Sequence, residues 1–141
     1  MSQSTAELAR EFFEIVWNQK LEDAMEQLAH PDGVSHQVFG DVIGFNAFRD
    51  NIYRPFINAL PDLHIEIEDV VADGDQAVVR WRATGTHLGD GLGMPPSGRQ
   101  VKFAGMTWLA FRDGKLAEGW DGWDPGDLLH RLAAFPEEPD P

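Results

Sequence analysis

The chain has 141 residues, 43% of them hydrophobic and 25% charged, with five tryptophans, nine phenylalanines and no cysteine. That is the size of one domain with one sizeable core, too apolar and aromatic to stay disordered; without cysteine it has neither disulfides nor thiol chemistry. A formal net charge of −13 argues against nucleic acid and anionic membrane as partners, since both demand clustered lysine and arginine.

The N-terminus, MSQSTAELAREFFEIVW, places acids where a secretory signal needs an unbroken apolar run. No segment approaches the roughly 20 apolar residues of a membrane span. The expectation is a soluble single domain over 1–141, suited to the reducing cytoplasm. Ser4 or Thr5 followed by Glu7 reads as a capping signal. Leu8, Phe12, Ile15 and Val16 then recur at helical spacing, which predicts an amphipathic helix over 5–17. KLEDAMEQLA, 20–29, predicts a second short helix, ended by His30-Pro31-Asp32-Gly33. VSHQVF, 34–39, reads as a short strand. A third helix is predicted over 44–59, with Pro55 bending it or marking where it restarts.

Beyond Pro61 the period becomes two. LHIEIED alternates Leu63, Ile65 and Ile67 with His64, Glu66 and Glu68, a half-buried strand. After a turn at Asp73-Gly74, 76–87 alternates again, with Val79, Trp81 and Ala83 opposing Arg80, Arg82 and Thr84. GDGLGMPPSGRQ is a long connection. VKFAGMTWLAFR, 101–112, is a long strand, and a tight turn at Asp113-Gly114 leads into the last strand, KLAEGWDGW, 115–123. DPGDLLHRLAA supplies a terminal helix, and the acidic, proline-rich end, 135–141, is expected to fray. Helices first, then a meander of long strands, then a closing helix make an α+β fold: a strongly curved antiparallel sheet with the N-terminal helices over its concave face. Such a bend encloses an apolar cavity of the kind small molecules occupy.

No glycine-rich phosphate loop, HExxH or GxSxG motif is present, and the five histidines lack ligand spacing, so neither cofactor nor metal is expected. Acid–base chemistry remains. On the last strand, alternation places Ala117, Gly119, Asp121 and Trp123 on one face and Leu116, Glu118 and Trp120 on the other. If the first face meets the cavity, Asp121 is a desolvated base with a raised pKa; otherwise it is an outward acid. Asp124 before Pro125, with Asp127 following, is helix-start chemistry. His87 and His36 either face the cavity or simply sit on strands. Arg80 and Arg82 share a face with Thr84, where Glu66 and Glu68 across the sheet can pair with them.

GTHLG at 85–89, GLGMPPSGR at 91–99, LPDL at 60–63 and DGKLAEGWDGWD at 113–124 together resemble the SnoaL-like polyketide cyclases, within the wider nuclear-transport-factor-2-like and ketosteroid-isomerase-like group. The resemblance implies an α+β barrel of cone-like shape and a homodimer, which an antiparallel sheet with Trp108 or Trp120 on its outward face also suggests. It also implies cofactor-free, metal-free aldol-type cyclisation of a carbonyl-bearing apolar small molecule. The family's catalytic aspartate, counted from Gly114-Lys115, falls on Asp121, which would remove a proton beside an ester carbonyl; the enolate then attacks a second carbonyl. Histidine and glutamine in those cyclases are replaced here by Thr107 and Gly105. A pocket asparagine corresponds to Ser35, and a histidine often found two residues before the aspartate is Gly119. The implied site therefore comprises Asp121 with His87 and His36 for the acid or oxyanion role, lined by Ser35, Gly105, Thr107, Gly119 and Trp123. Two other readings are a non-catalytic binding or dimerisation module on the same fold, and an epoxide hydrolase joining Asp121 to Arg80 or Arg82.

Overall fold

A computed structural model describes residues 3–133; the tail expected to fray lies outside them. The first helix, α1 (Thr5–Phe13), starts with the anticipated capping box: the Ser4 side chain accepts from Glu7 N–H and Glu7 reaches back to the Ser4 backbone. It widens into a π-type turn over Glu14–Asn18, and α2 (Glu22–Leu28) follows. The next helical stretch is α3 (Phe45–Phe48), a π-type turn over Arg49–Tyr53, and α4 (Arg54–Ala59). Pro55 sits where the π-type turn passes into α4, and the widened turn makes room for its ring within the continuing helix.

Six strands form one sheet in the order β2-β1-β6-β5-β4-β3. They are β1 (Ala29–Gln37), β2 (Gly40–Ile43), β3 (His64–Asp73), β4 (Gln76–Thr86), β5 (Gln100–Arg112) and β6 (Lys115–Trp123). The meander β3 to β6 is antiparallel as expected. β1, however, runs parallel to β6, so the sheet is mixed. Its hairpin partner β2 has no counterpart in the sequence reading, because the turn between them is Val38-Phe39, two apolar residues that carry no turn signal. The β5–β6 turn is Asp113-Gly114, both at positive φ, as a two-residue hairpin of the I′ type requires.

Alternation places Ala77, Val79, Trp81 and Ala83 of β4 in the core. Within the meander two irregularities break it. In β6, Ala110 pairs with Glu118 and Phe111 with Leu116, so Ala117 is an extra residue. The bulge turns Leu116, expected outside, inward onto the core. In β3 the extra residue is Glu68, between Ile67 and Asp69. Finally α5 (Pro125–Leu132) packs against β5 and buries Leu128 and Leu132. Among the described residues no helix is long and apolar enough to cross a membrane.

Candidate active site

Helices α1 to α4 and the inner sheet face surround an apolar cavity. Its walls are aromatic. Trp17 packs against Phe48, Tyr53 and Phe56 with ring centroids 5.5–6.3 Å apart, and Trp123 meets Phe56 and Phe103 at 5.6 Å. Offset and edge contacts of this kind hold the rings in place as a rigid wall.

Asp121 stands on β6 facing this cavity, directly across the ladder from Thr107 on β5. Thr107 Oγ1 donates to Asp121 Oδ1 at 2.7 Å and accepts from Trp81 Nε1 at 3.0 Å. On the other side Gln37 Nε2 donates to Asp121 Oδ2 at 2.6 Å and to Ser35 Oγ at 2.6 Å. By surface area Asp121 is only half-buried, because the surface it keeps is cavity wall; packed protein still strips the carboxylate of bulk water. Burial pushes its carboxyl above the usual value, and the donations from Thr107 and Gln37 oppose that without cancelling it.

Ser35, Thr107, Gly119 and Trp123 line the cavity. Gly105 does not; it lies beneath the indoles of Trp81 and Trp123, and a Cβ there would come within 2.7 Å of both side chains. Neither nominated histidine joins Asp121. His36 alternates with Ser35 and Gln37 and so faces outward, where Nδ1 meets Asp41 Oδ1 at 2.7 Å and Nε2 meets Glu118 Oε2 at 2.6 Å. Glu118 first, then Asp41, raises its pKa, and its ring stacks on Trp120. His87 is fully buried at the end of β4, outside the cavity lining. Its Nδ1 accepts from Ser97 N–H at 3.2 Å, so the ring pins the base of the 88–99 loop.

Asp124 caps α5, accepting from Asp127 N–H at 3.0 Å, while Asp127 pairs with Arg131 at 2.8 Å. Arg82 and Arg80 lie outside the sheet, 3.0 Å and 3.8 Å from Glu68. The bulge lets Glu68 serve both. No arginine is among the described residues lining the cavity, so the Asp–Arg arrangement of an epoxide hydrolase is not assembled. Sequence reasoning missed Gln37 and the Trp81 N–H. Gln37 was within reach of it: period two puts position 37 on the face already assigned to Ser35.

A curved sheet covered by helices on one face and enclosing an apolar cavity is the nuclear-transport-factor-2-like α+β fold. Within it, the chain belongs to the SnoaL-like polyketide cyclase family, whose family description matches residues 7–132. Three solved structures illustrate the likeness. AclR from Streptomyces galilaeus, described as a candidate hydroxylase, is 29% identical with a TM-score of 0.80 over 96% of this chain and 87% of its own. TsrD from Streptomyces laurentii is 26% identical, TM-score 0.79, over 96% and 99%. A candidate polyketide cyclase from Acidithiobacillus ferrooxidans is 27% identical, TM-score 0.77, over 94% and 97%. None of the curated proteins matches in sequence.

Proposed function

We propose that this protein catalyses a cofactor-independent cyclisation or isomerisation of an apolar small molecule bearing ketone or ester groups, with Asp121 as general base. The observation that carries the reading is the Asp121 carboxylate in an aromatic cavity, held by two donors and raised in pKa by desolvation. A raised pKa strengthens a carboxylate as a base toward carbon. Asp121 takes the proton beside a carbonyl and the C–H electron pair becomes an enolate. The enolate carbon bonds to a second carbonyl carbon, and the resulting alkoxide recovers the proton from Asp121.

The test is deuterium wash-in at the carbon beside the carbonyl of 2-tetralone, a benzo-fused cyclic ketone, followed by proton NMR across pH. Only ionised Asp121 can act, so the enzymatic rate should climb with pH and level off above the raised pKa. The acid limb should lie at higher pH than an ordinary carboxylate gives. A flat profile, or exchange no faster than buffer, would leave the fold as a binding module.

The proposal extends to assembly as a cytoplasmic homodimer. Met106, Trp108 and Trp120 are 53%, 49% and 39% exposed on the outer sheet face, side by side on β5 and β6, a patch that a second copy would cover. Sedimentation should find twice the 15.8 kDa chain mass, and Trp108→Glu should shift it to the monomer. A monomeric wild type at micromolar concentration would remove the dimer from the proposal.

A further inference from the structure

The hydrogens around Asp121 can be assigned one by one, and the assignment leaves one donor unspent. An ionised carboxylate only accepts, so Gln37 must present its amide nitrogen, not its carbonyl, to Asp121 Oδ2. Its second N–H then goes to Ser35 Oγ at 2.6 Å. The single hydroxyl hydrogen of Thr107 is given to Asp121 Oδ1, and the Trp81 N–H is given to Thr107. Within this cluster Ser35 alone receives a hydrogen bond while keeping its own hydroxyl hydrogen free to turn into the cavity it lines.

We propose that the Ser35–Gln37 pair on β1 is the donor arm of this site. Gln37 is a positioning residue that fixes Asp121 through Oδ2, and the Ser35 hydroxyl donates to the substrate's carbonyl oxygen as that oxygen becomes an enolate. The inference rests on the general-base reading above and assigns the oxyanion role that neither His36 nor His87 is placed to fill. The geometry suits a carbon acid. Ser35 Oγ and Asp121 Oδ2 each lie 2.6 Å from the same Gln37 amide nitrogen, and a ketone or ester can meet such a neighbouring pair with its acidic carbon at the base and its oxygen, two bonds further on, at the hydroxyl. The donor is also preorganised. Gln37 fixes the hydroxyl oxygen before any ligand arrives, so charge developing on the substrate oxygen meets a dipole already in place.

Two variants separate the roles. Gln37→Met removes the donor to Oδ2 at nearly constant volume and leaves desolvation less opposed. In protein labelled with 13C at the aspartate carboxyls, the Asp121 titration should move to higher pH by about one unit or more. The acid limb of wash-in into 2-tetralone should move with it. Gln37→Asn, too short to reach Oδ2, should reproduce the shift if the methionine variant does not fold. Ser35→Ala should leave the Asp121 titration in place and slow wash-in about 100-fold with KM changed less than threefold, and Ser35→Thr should restore the rate. An unmoved titration in both Gln37 variants overturns the positioning role. Wash-in by Ser35→Ala above half the wild-type rate overturns the donor role. The carboxyl titration needs no substrate, so it reports on Gln37 even if Asp121 proves not to be the base.

Discussion

Asp121→Asn is expected to slow deuterium wash-in about 1,000-fold at neutral pH, within the range a general base contributes, while leaving thermal stability unchanged or improved. The rate loss follows from removing the group that takes the proton; an amide nitrogen has no basicity to offer. The stability argument runs through linkage. Asp121 titrates higher in the folded chain than its ordinary value because burial disfavours its charge. Between those two pKa values the folded state holds the proton more than the unfolded state does, so stability falls as pH rises. At neutral pH the ionised carboxylate is therefore a burden on the fold, relieved in part by Thr107 and Gln37. Asparagine cannot ionise. Its Oδ1 keeps the Thr107 hydroxyl, and Gln37 need only turn its amide over to accept from the new Nδ2. Melting at pH 7 should thus be equal or higher for the variant, and the advantage should vanish in acid, where the wild-type carboxyl is protonated too. A variant that melts several degrees lower at pH 7 would make Asp121 a structural residue.

How far the sequence disclosed this site depends on which physical rule each residue obeys. Alternation on the last strand is a local rule, and it grouped Asp121 with Gly119 and Trp123 on one face without deciding which way that face points; helix-start chemistry is local too, and it assigned Asp124 to the cap of α5. Leu116 defied alternation because the Ala117 bulge shifts the parity of the strand, and no residue type announces a bulge there. His36 was nominated for the acid or oxyanion role, yet it neighbours the inward Ser35 and adjacency on a strand means opposite faces; Gln37 was the inward residue. His87 closes a loop through Ser97, ten residues on, a pairing that only the folded hairpin creates. The fold class followed from periodicity, whereas the parallel β1–β6 pairing did not. Which strand a short N-terminal segment joins is decided by where its inward side chains find partners, and those lie more than eighty residues away.

Gly105→Gln, which would install the glutamine that the resemblance to the cyclases implies at this position, is expected to destabilise the chain by about 3 kcal/mol, the upper end of ordinary overpacking. Trp81, Gly105 and Trp123 are ladder neighbours on β4, β5 and β6, so their side chains stand in a row on the inner face. The two indoles lean over the middle position with ring centroids 6.5 Å apart. A Cβ there would lie 2.7 Å from Trp123 Cβ, 2.7 Å from Trp81 Cζ2 and 2.9 Å from the Gly122 carbonyl oxygen. The last is backbone and cannot swing away. For a domain of this length the melting temperature should fall by roughly 10 °C. Activity should fall further than stability alone explains, because displacing Trp81 withdraws the N–H that orients Thr107 toward Asp121. Adding Trp81→Ala should make room, so the double variant should lose less stability than the two single losses combined. Additive losses would mean that the indole is not what the glutamine strikes. If the losses are non-additive, the two departures from the cyclases are one change: the glutamine is gone because an indole occupies its space, and that indole now supports the base through Thr107.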